Sequence, residues 1–331
     1  MALRAEPFVP ARWLGHRHAQ TIWPALFRRS GPRALVAECW PTTDGQGLDV
    51  ELLPHRPGRP GVLVLHGLEG SSRARYVRGL LAAIERRGWN AAAVSFRSCG
   101  PTPVAGRRLY HSGDTGDLPL LVERLRARWP GTPLGAVGFS MGGNILLKWL
   151  GEQGEGAPLE AAVAVSVPYD LAGCAAALDG PGFFPALYRL RFLRTLRRKA
   201  LAIAGRFPGT LDAAAVRACR TFARYDDLVT APLYGFASAA DYWARCSSAG
   251  FLARIRRPAL LLSAEDDPIV PGSTIPRAAI AANPLLDGRL LARGGHVGFV
   301  TGAWWPRYAV DALALDFLEG RLEHRTVWLP S

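Results

Sequence analysis

The sequence lacks the features that mark a membrane span, a disulfide scaffold or a metal site. Its apolar runs are short: 61–65 and 161–167 are strand-sized, far below the twenty or so residues that cross a bilayer. Residues 1–12 carry charges and prolines but no apolar leader core, so no signal peptide is expected. Five cysteines (Cys39, Cys99, Cys174, Cys219 and Cys246) are odd in number and form no CxxC, which fits reduced thiols in a cytoplasm. His16 and His18 make an H-x-H, but no acidic or histidine cluster lies near them in sequence. Neither a metal nor a cofactor is therefore expected. There is no internal repeat and no low-complexity linker.

Lysine is almost absent. Only Lys148 and Lys199 stand among 40 basic residues, and the formal net charge is +13. Arginine set among abundant alanine, glycine and proline reads as compositional bias. No zinc-finger spacing, RNA-binding signature or aromatic–basic repeat accompanies the charge, so a nucleic-acid partner is not expected.

What is present is enough for a substantial core: 331 residues, 49% of them hydrophobic. Short runs rich in valine and leucine, at 48–53, 61–66, 91–96, 134–139, 161–167, 258–263 and 288–292, read as strands. Helical patterns fall between and after them, at 72–87, 114–129, 141–151, 273–283 and 305–320. Nearly continuous apolar strands separated by helices predict an α/β fold with a mostly parallel, doubly wound sheet covered on both faces. Between 170 and 251 the strand pattern fails and only helices and loops are expected, as for an insertion over one end of the sheet. The expected division is an N-terminal arm at 1–45, a core at 46–168 and 253–331, and a helical cap at 169–252.

The stretch "AVGFSMGGNILLKW" (136–149) passes from an apolar strand to a helix with a serine at the corner. Gly138-Phe139-Ser140-Met141-Gly142 matches G-x-S-x-G, in which a tight strand-to-helix turn lifts the serine above the sheet. The pattern alone is common in glycine-rich chains; its place between strand and helix gives it weight. A serine hydroxyl needs a base, itself oriented by an acid. Downstream of Ser140 lie only His296 and His324. His296, in "ARGGHVGF" after the last expected strand, is the better base, since His324 sits in the polar tail. The acid should follow the strand at 258–263, where "SAEDDPIVP" offers Glu265, Asp266 and Asp267. Asp267, beside Pro268, is favoured, with Asp266 the alternative. The N–H of Met141, at a helix start, and that of Leu68, in "VLVLHGLEGSS" (62–72), are the expected oxyanion donors. His66 sits at a strand end and is read as shaping that loop.

Together these residues resemble the α/β-hydrolase superfamily and, more narrowly, its YheT-like branch of serine esterases. The narrower resemblance rests on "HAQTIWPAL" (18–26), "HGLEGSS" (66–72), "YHSGDTGDL" (110–118) and "YDDLVTAPLYGFASAADYW" (225–243). It implies the α/β-hydrolase fold and a triad of Ser140, Asp267 and His296, and so Asp267 over Asp266. It also implies a carboxylesterase acting on short- or medium-chain acyl esters without a cofactor, with phospholipids as substrates of some eukaryotic relatives. The family's arginine- and glycine-containing loop is present as "FRSCGPTP" (96–103), departing from the usual order at Cys99 and Gly100. A lipase, phospholipase or thioesterase is the nearest rival, and an inactive binding module of the same fold is the rival from another class. A serine at the elbow argues against relatives of this fold that place an aspartate there.

Within the expected cap, Leu187, Leu190, Leu193 and Leu196 recur every three residues among Arg189, Arg191, Arg194, Arg197, Arg198 and Lys199. The spacing predicts a helix whose leucine stripe packs on the core while its arginines face water. The alternative is weak contact of that basic helix with an anionic membrane surface. The oligomeric state is not legible in the sequence.

Overall fold

The structure is a computed structural model and describes residues 4–5, 8–103 and 106–323; His324 lies outside them. The strands are β1 (Arg4–Ala5), β2 (Val36–Pro41), β3 (Gly47–Leu52), β4 (Gly61–Leu65), β5 (Asn90–Ser95), β6 (Leu134–Phe139), β7 (Ala161–Val165), β8 (Ala259–Ala264), β9 (Leu286–Leu291), β10 (Val300–Thr301) and β11 (Arg307–Tyr308). The helices outside the expected cap are α1 (Arg17–Phe27), α2 (Arg75–Arg86), α3 (Leu118–Arg128) and α4 (Met141–Gln153). Next come α5 (Leu171–Asp179), α6 (Phe183–Arg206), α7 (Ala213–Ala218), α8 (Phe222–Tyr225), α9 (Ala231–Tyr234) and α10 (Ala239–Cys246), with a π-helical turn at Asp226–Thr230. The chain closes with α11 (Arg277–Ala282) and α12 (Ala309–Leu322).

Among the described residues the first nine strands form one sheet, ordered β1-β9-β8-β7-β6-β4-β5-β3-β2. All neighbours pair parallel except β2 with β3 and β3 with β5. The fold is thus the mostly parallel, doubly wound α/β sheet that the alternation of elements predicts. Every residue of β4, β5, β6, β7 and β8 is buried, as strands covered on both faces must be. Parity assigns the faces. Val62, Val64, Val137, Phe139, Val163 and Leu260 pack with α2 and α12. Leu63, Leu65, Ala136, Ala162 and Leu261 pack with α3 and α4 on the other side.

Two parts differ from the sequence reading. Residues 1–40 show no clear period, yet they supply a helix, α1, and both edge strands of the sheet, β1 and β2. Strand β2 has only Trp40 fully buried, so its apolar signal is faint. The last helix begins at Ala309 rather than 305, because 300–308 form the β10–β11 hairpin.

The segment between β7 and β8 holds α5 to α10 and builds a third cluster around Leu178, Tyr188, Leu193, Leu196 and Val216, closed from below by Ile269 and Val270. Here the leucine stripe needs correcting. Leu193 and Leu196 are buried, but Leu187 and Leu190 are 41% and 62% exposed. A three-residue step falls about 60° short of a full turn, so four leucines at that spacing cannot share one buried face.

Candidate active site

Ser140 stands between β6 and α4 with φ at +51° and ψ at −121°. Few non-glycine residues hold such a conformation, and it persists only where its surroundings enforce it. The enforcement is close approach. A β-carbon on Gly138 would lie 2.6 Å from the Gly142 carbonyl oxygen, and one on Gly142 would lie 2.5 Å from the His66 carbonyl oxygen. The two glycines let strand, turn and helix meet without side chains between them. The Ser140 N–H donates to the Val165 carbonyl at 2.7 Å, which ties the corner to β7.

His296 and Asp267 arrive on the loops after β9 and β8. His296 Nε2 lies 2.9 Å from Ser140 Oγ, and Nδ1 lies 2.8 Å from Asp267 Oδ2. The other Asp267 oxygen accepts the N–H groups of Ile269 and Val270 at 2.8 and 2.9 Å. A buried carboxylate fixed in this way keeps the imidazole proton on Nδ1 and leaves the Nε2 lone pair facing the serine. Asp266 points elsewhere: its Oδ1 accepts the Gly295 N–H at 3.0 Å, bracing the loop that carries His296. Glu265 pairs with Arg277 near the surface at 3.4 Å. A hydroxyl, an imidazole and a carboxylate in this chain can make the serine oxygen a nucleophile.

The expected oxyanion donors also meet here. Leu68 and Met141 line the same cavity as Ser140, and among the described residues neither backbone N–H has an acceptor. Burial holds the His66 imidazole neutral, down at about 4. Its Nδ1–H donates to the Gly67 carbonyl at 2.7 Å, while Nε2 accepts the Phe96 N–H at 3.0 Å. His66 faces its own loop, and Tyr76 OH accepts the Gly67 N–H at 2.8 Å. Glu69 follows in the left-handed region, φ +53°. Its carboxylate accepts Tyr110 OH at 2.5 Å and Lys199 Nζ of α6 at 2.6 Å.

Several supporting residues carry no local sequence signal. Thr21 of α1 accepts the His296 N–H at 2.9 Å, and Ser166 accepts the Val297 N–H at 3.1 Å. A β-carbon on Gly298 would sit 1.9 Å from the Gln20 carbonyl oxygen, so α1 presses directly on the histidine loop. Asn144, one turn after Ser140, bonds the carbonyls of Ser112 and Cys246 and the N–H of Ser248. Arg97 of the "FRSCGPTP" loop is buried between Asp117 and Asp44, and Cys99 lies 3.3 Å from Lys199 Nζ. His18 bonds Tyr188 OH at 2.9 Å and stacks on Phe184.

Ser140, His296, Leu68 and Met141 open onto a cavity of about 360 Å³. Its walls are mostly apolar: Ile22 and Leu26 from α1, Leu178 from α5, Leu187 and Phe192 from α6, and Ile269 from the core. One half-buried acid, Asp226 of the π-helical turn, also borders it. Burial raises that carboxyl to about 6, although Thr230 Oγ1 and Trp243 Nε1 both bond it.

The sheet order, the serine corner and the loops that meet there define an α/β hydrolase, and the chain belongs to that family: residues 60–303 match the family described as alpha/beta hydrolase fold. Within it the chain is YheT-like. It is 34% identical over 325 residues to Escherichia coli YheT, named as an esterase, covering 96% of this chain and 95% of that one. Phospholipase ABHD3 of Mus musculus is 27% identical over 329 residues, covering 96% and 80%. Among solved structures, an esterase of Pyrococcus furiosus superposes with a TM-score of 0.56 at 16% identity, covering 96% of this chain and 99% of that one; at that identity it speaks for the fold alone. No described helix is long and apolar enough to cross a membrane.

Proposed function

We propose that this chain, an ester hydrolase of the YheT-like branch, is a serine carboxylesterase that cleaves short- to medium-chain acyl esters through an acyl-serine intermediate. The observation that carries the reading is the hydrogen-bonded chain Asp267–His296–Ser140 at the floor of a largely apolar cavity. Ser140 Oγ attacks the ester carbonyl as His296 Nε2 takes its proton, and Asp267 stabilises the imidazolium. The N–H groups of Leu68 and Met141 receive the charge that develops on the carbonyl oxygen, helped by the positive end of α4. His296 then protonates the leaving alkoxide. In the second half it activates a water molecule that releases the carboxylic acid. Residues 169–252 act as a cap whose cavity-lining side chains, Leu178, Leu187 and Phe192 among them, hold the acyl chain. A cytoplasmic setting agrees with cysteines that are all free.

The test is Ser140→Ala. Turnover of p-nitrophenyl esters is expected to fall by about 10³-fold or more in a protein whose circular dichroism is unchanged. A folded Ser140→Ala protein with wild-type turnover would end the proposal. Lipid esters are the second reading, favoured by the apolar cavity walls and by the name of the mouse relative. A series of esters of increasing acyl length, run beside a phospholipid and a thioester, separates the readings. Preference for the thioester over every oxygen ester would overturn the carboxylesterase assignment.

A further inference from the structure

The positive charge of this chain is localised. Residues 8–37 contain five arginines and no acidic residue, and residues 180–211 contain six arginines, Lys199 and no acidic residue. The rest of the chain, with 28 basic and 27 acidic residues, is almost balanced, so these two segments hold nearly the whole net charge of +13.

The two segments also form one surface. His18 of α1 stacks on Phe184 of α6 with ring centres 3.6 Å apart, and bonds Tyr188 OH one turn further on. Leu26 of α1 and Leu187 and Arg191 of α6 line the cavity while remaining exposed, so they form its rim. Along α6, Phe183, Leu187, Leu190, Arg191, Arg194 and Arg198 are all exposed. At 100° per residue they fall within an arc of about 100°. This is a single face, apolar in its first half and cationic in its second. Phe183 and Leu190 are 75% and 62% exposed, and Leu26 on α1 is 55% exposed. Among the described residues none of the three arginines has an acidic partner.

Large apolar side chains gathered around a cavity mouth are a poor surface for water alone. Next to unpaired arginines they match an anionic bilayer, where apolar groups enter the headgroup boundary and guanidinium groups meet phosphates. A nucleic acid would use the arginines but give no role to Phe183, Leu190 and Leu26. We propose that the exposed face of α6, with the adjoining end of α1, docks on an anionic lipid surface. Docking would hold the cavity mouth against the interface. Only that last consequence rests on the esterase reading; the docking itself does not.

The experiment is co-sedimentation of the full chain with vesicles of phosphatidylcholine alone and of phosphatidylcholine mixed with phosphatidylglycerol. Binding is expected to the mixed vesicles at low salt, falling about tenfold or more at high salt as the charges are screened. Two double variants outside the cavity lining divide the surface: Phe183→Ser with Leu190→Ser, and Arg194→Gln with Arg198→Gln. Each is expected to lose vesicle binding by about tenfold while a soluble p-nitrophenyl ester is turned over at the wild-type rate. Ser140→Ala is expected to bind vesicles like the wild type, which keeps this test apart from that of the esterase. Absence of vesicle binding at low salt would overturn the proposal. Binding indifferent to Phe183 and Leu190, and matched by duplex DNA across the variants, would make the face a general polyanion site and overturn it equally.

Discussion

Asp266 and Asp267 are adjacent, yet their carboxylates face different partners: Asp267 bonds the His296 ring, and Asp266 the backbone of Gly295. Asp267→Asn presents His296 Nδ1 with an amide in place of a charge and favours the wrong tautomer, so kcat is expected to fall by roughly 10³- to 10⁴-fold. Asp266→Asn loosens one loop hydrogen bond, and a fall of about tenfold or less is expected. Steady-state turnover of a p-nitrophenyl ester ranks the two, and the reverse ranking would move the acid to Asp266. The residues alone left that choice open because three successive acids share one turn. What aims Asp267 is the capture of its Oδ1 by the N–H groups of Ile269 and Val270, and a sequence does not show that. Ser140 and His296 were easier to pick out, one by its glycines and the other because only one further histidine follows the serine. Thr21 and Ser166 could not be found this way: they lie 275 and 131 residues from the loop positions they hold.

Among the elements, the central strands were legible to within a residue or two because each is apolar throughout and bounded by turns. Edge strand β2 was not, since most of its side chains face solvent or are half-buried. Helix α6 was legible as a helix but not in its facing, because a three-residue leucine spacing turns away from the core as it advances. That facing matters for Lys199. From α6 it reaches Glu69, whose backbone N–H donates to Tyr110 OH while its carboxylate accepts from the same hydroxyl. The Leu68 N–H therefore sits in a loop held by α6 as well as by Tyr110. Lys199→Met is expected to lower kcat by roughly tenfold, less than outright loss of an oxyanion donor, with KM for a short ester little changed and partial rescue by Lys199→Arg. A rise in KM at unchanged kcat would show that the ion pair acts on binding and not on the donor.

At the scale of the molecule, pH acts on groups that burial has displaced. His66 and His111 are pushed down by burial, to about 4 and about 3, so both are neutral in the fold but take a proton near 6.5 once unfolded. For a depressed group the stabilisation is present above the unfolded value and is lost as pH falls towards the folded one. Asp226 has the opposite sign. Its carboxyl is raised to about 6, so its contribution is full below the ordinary carboxylate range and is lost as pH rises through 6. Burial also lowers His18 to about 4 and raises the carboxyls of Asp266 and Asp311. Between pH 7 and 5 the three histidines, each lowered from 6.5 to about 4 or below, outweigh the carboxyls, and the protein is expected to lose stability on acidification. His111 is the cleaner probe, because His66 also shapes the loop that carries Leu68. His111 lies edge-on to Tyr234, Phe236 and Tyr242, and, after burial, the charges of Lys148 and Arg108 further oppose its protonation. Its share of the loss is about 2 kcal/mol over that range. Urea unfolding at pH 7 and pH 5 checks this: His111→Gln, whatever its stability at pH 7, is expected to lose less on acidification than the wild type by about that amount. Parallel losses in the two proteins would show that His111 does not titrate with unfolding, and the acid sensitivity of the fold would then have to come from other groups.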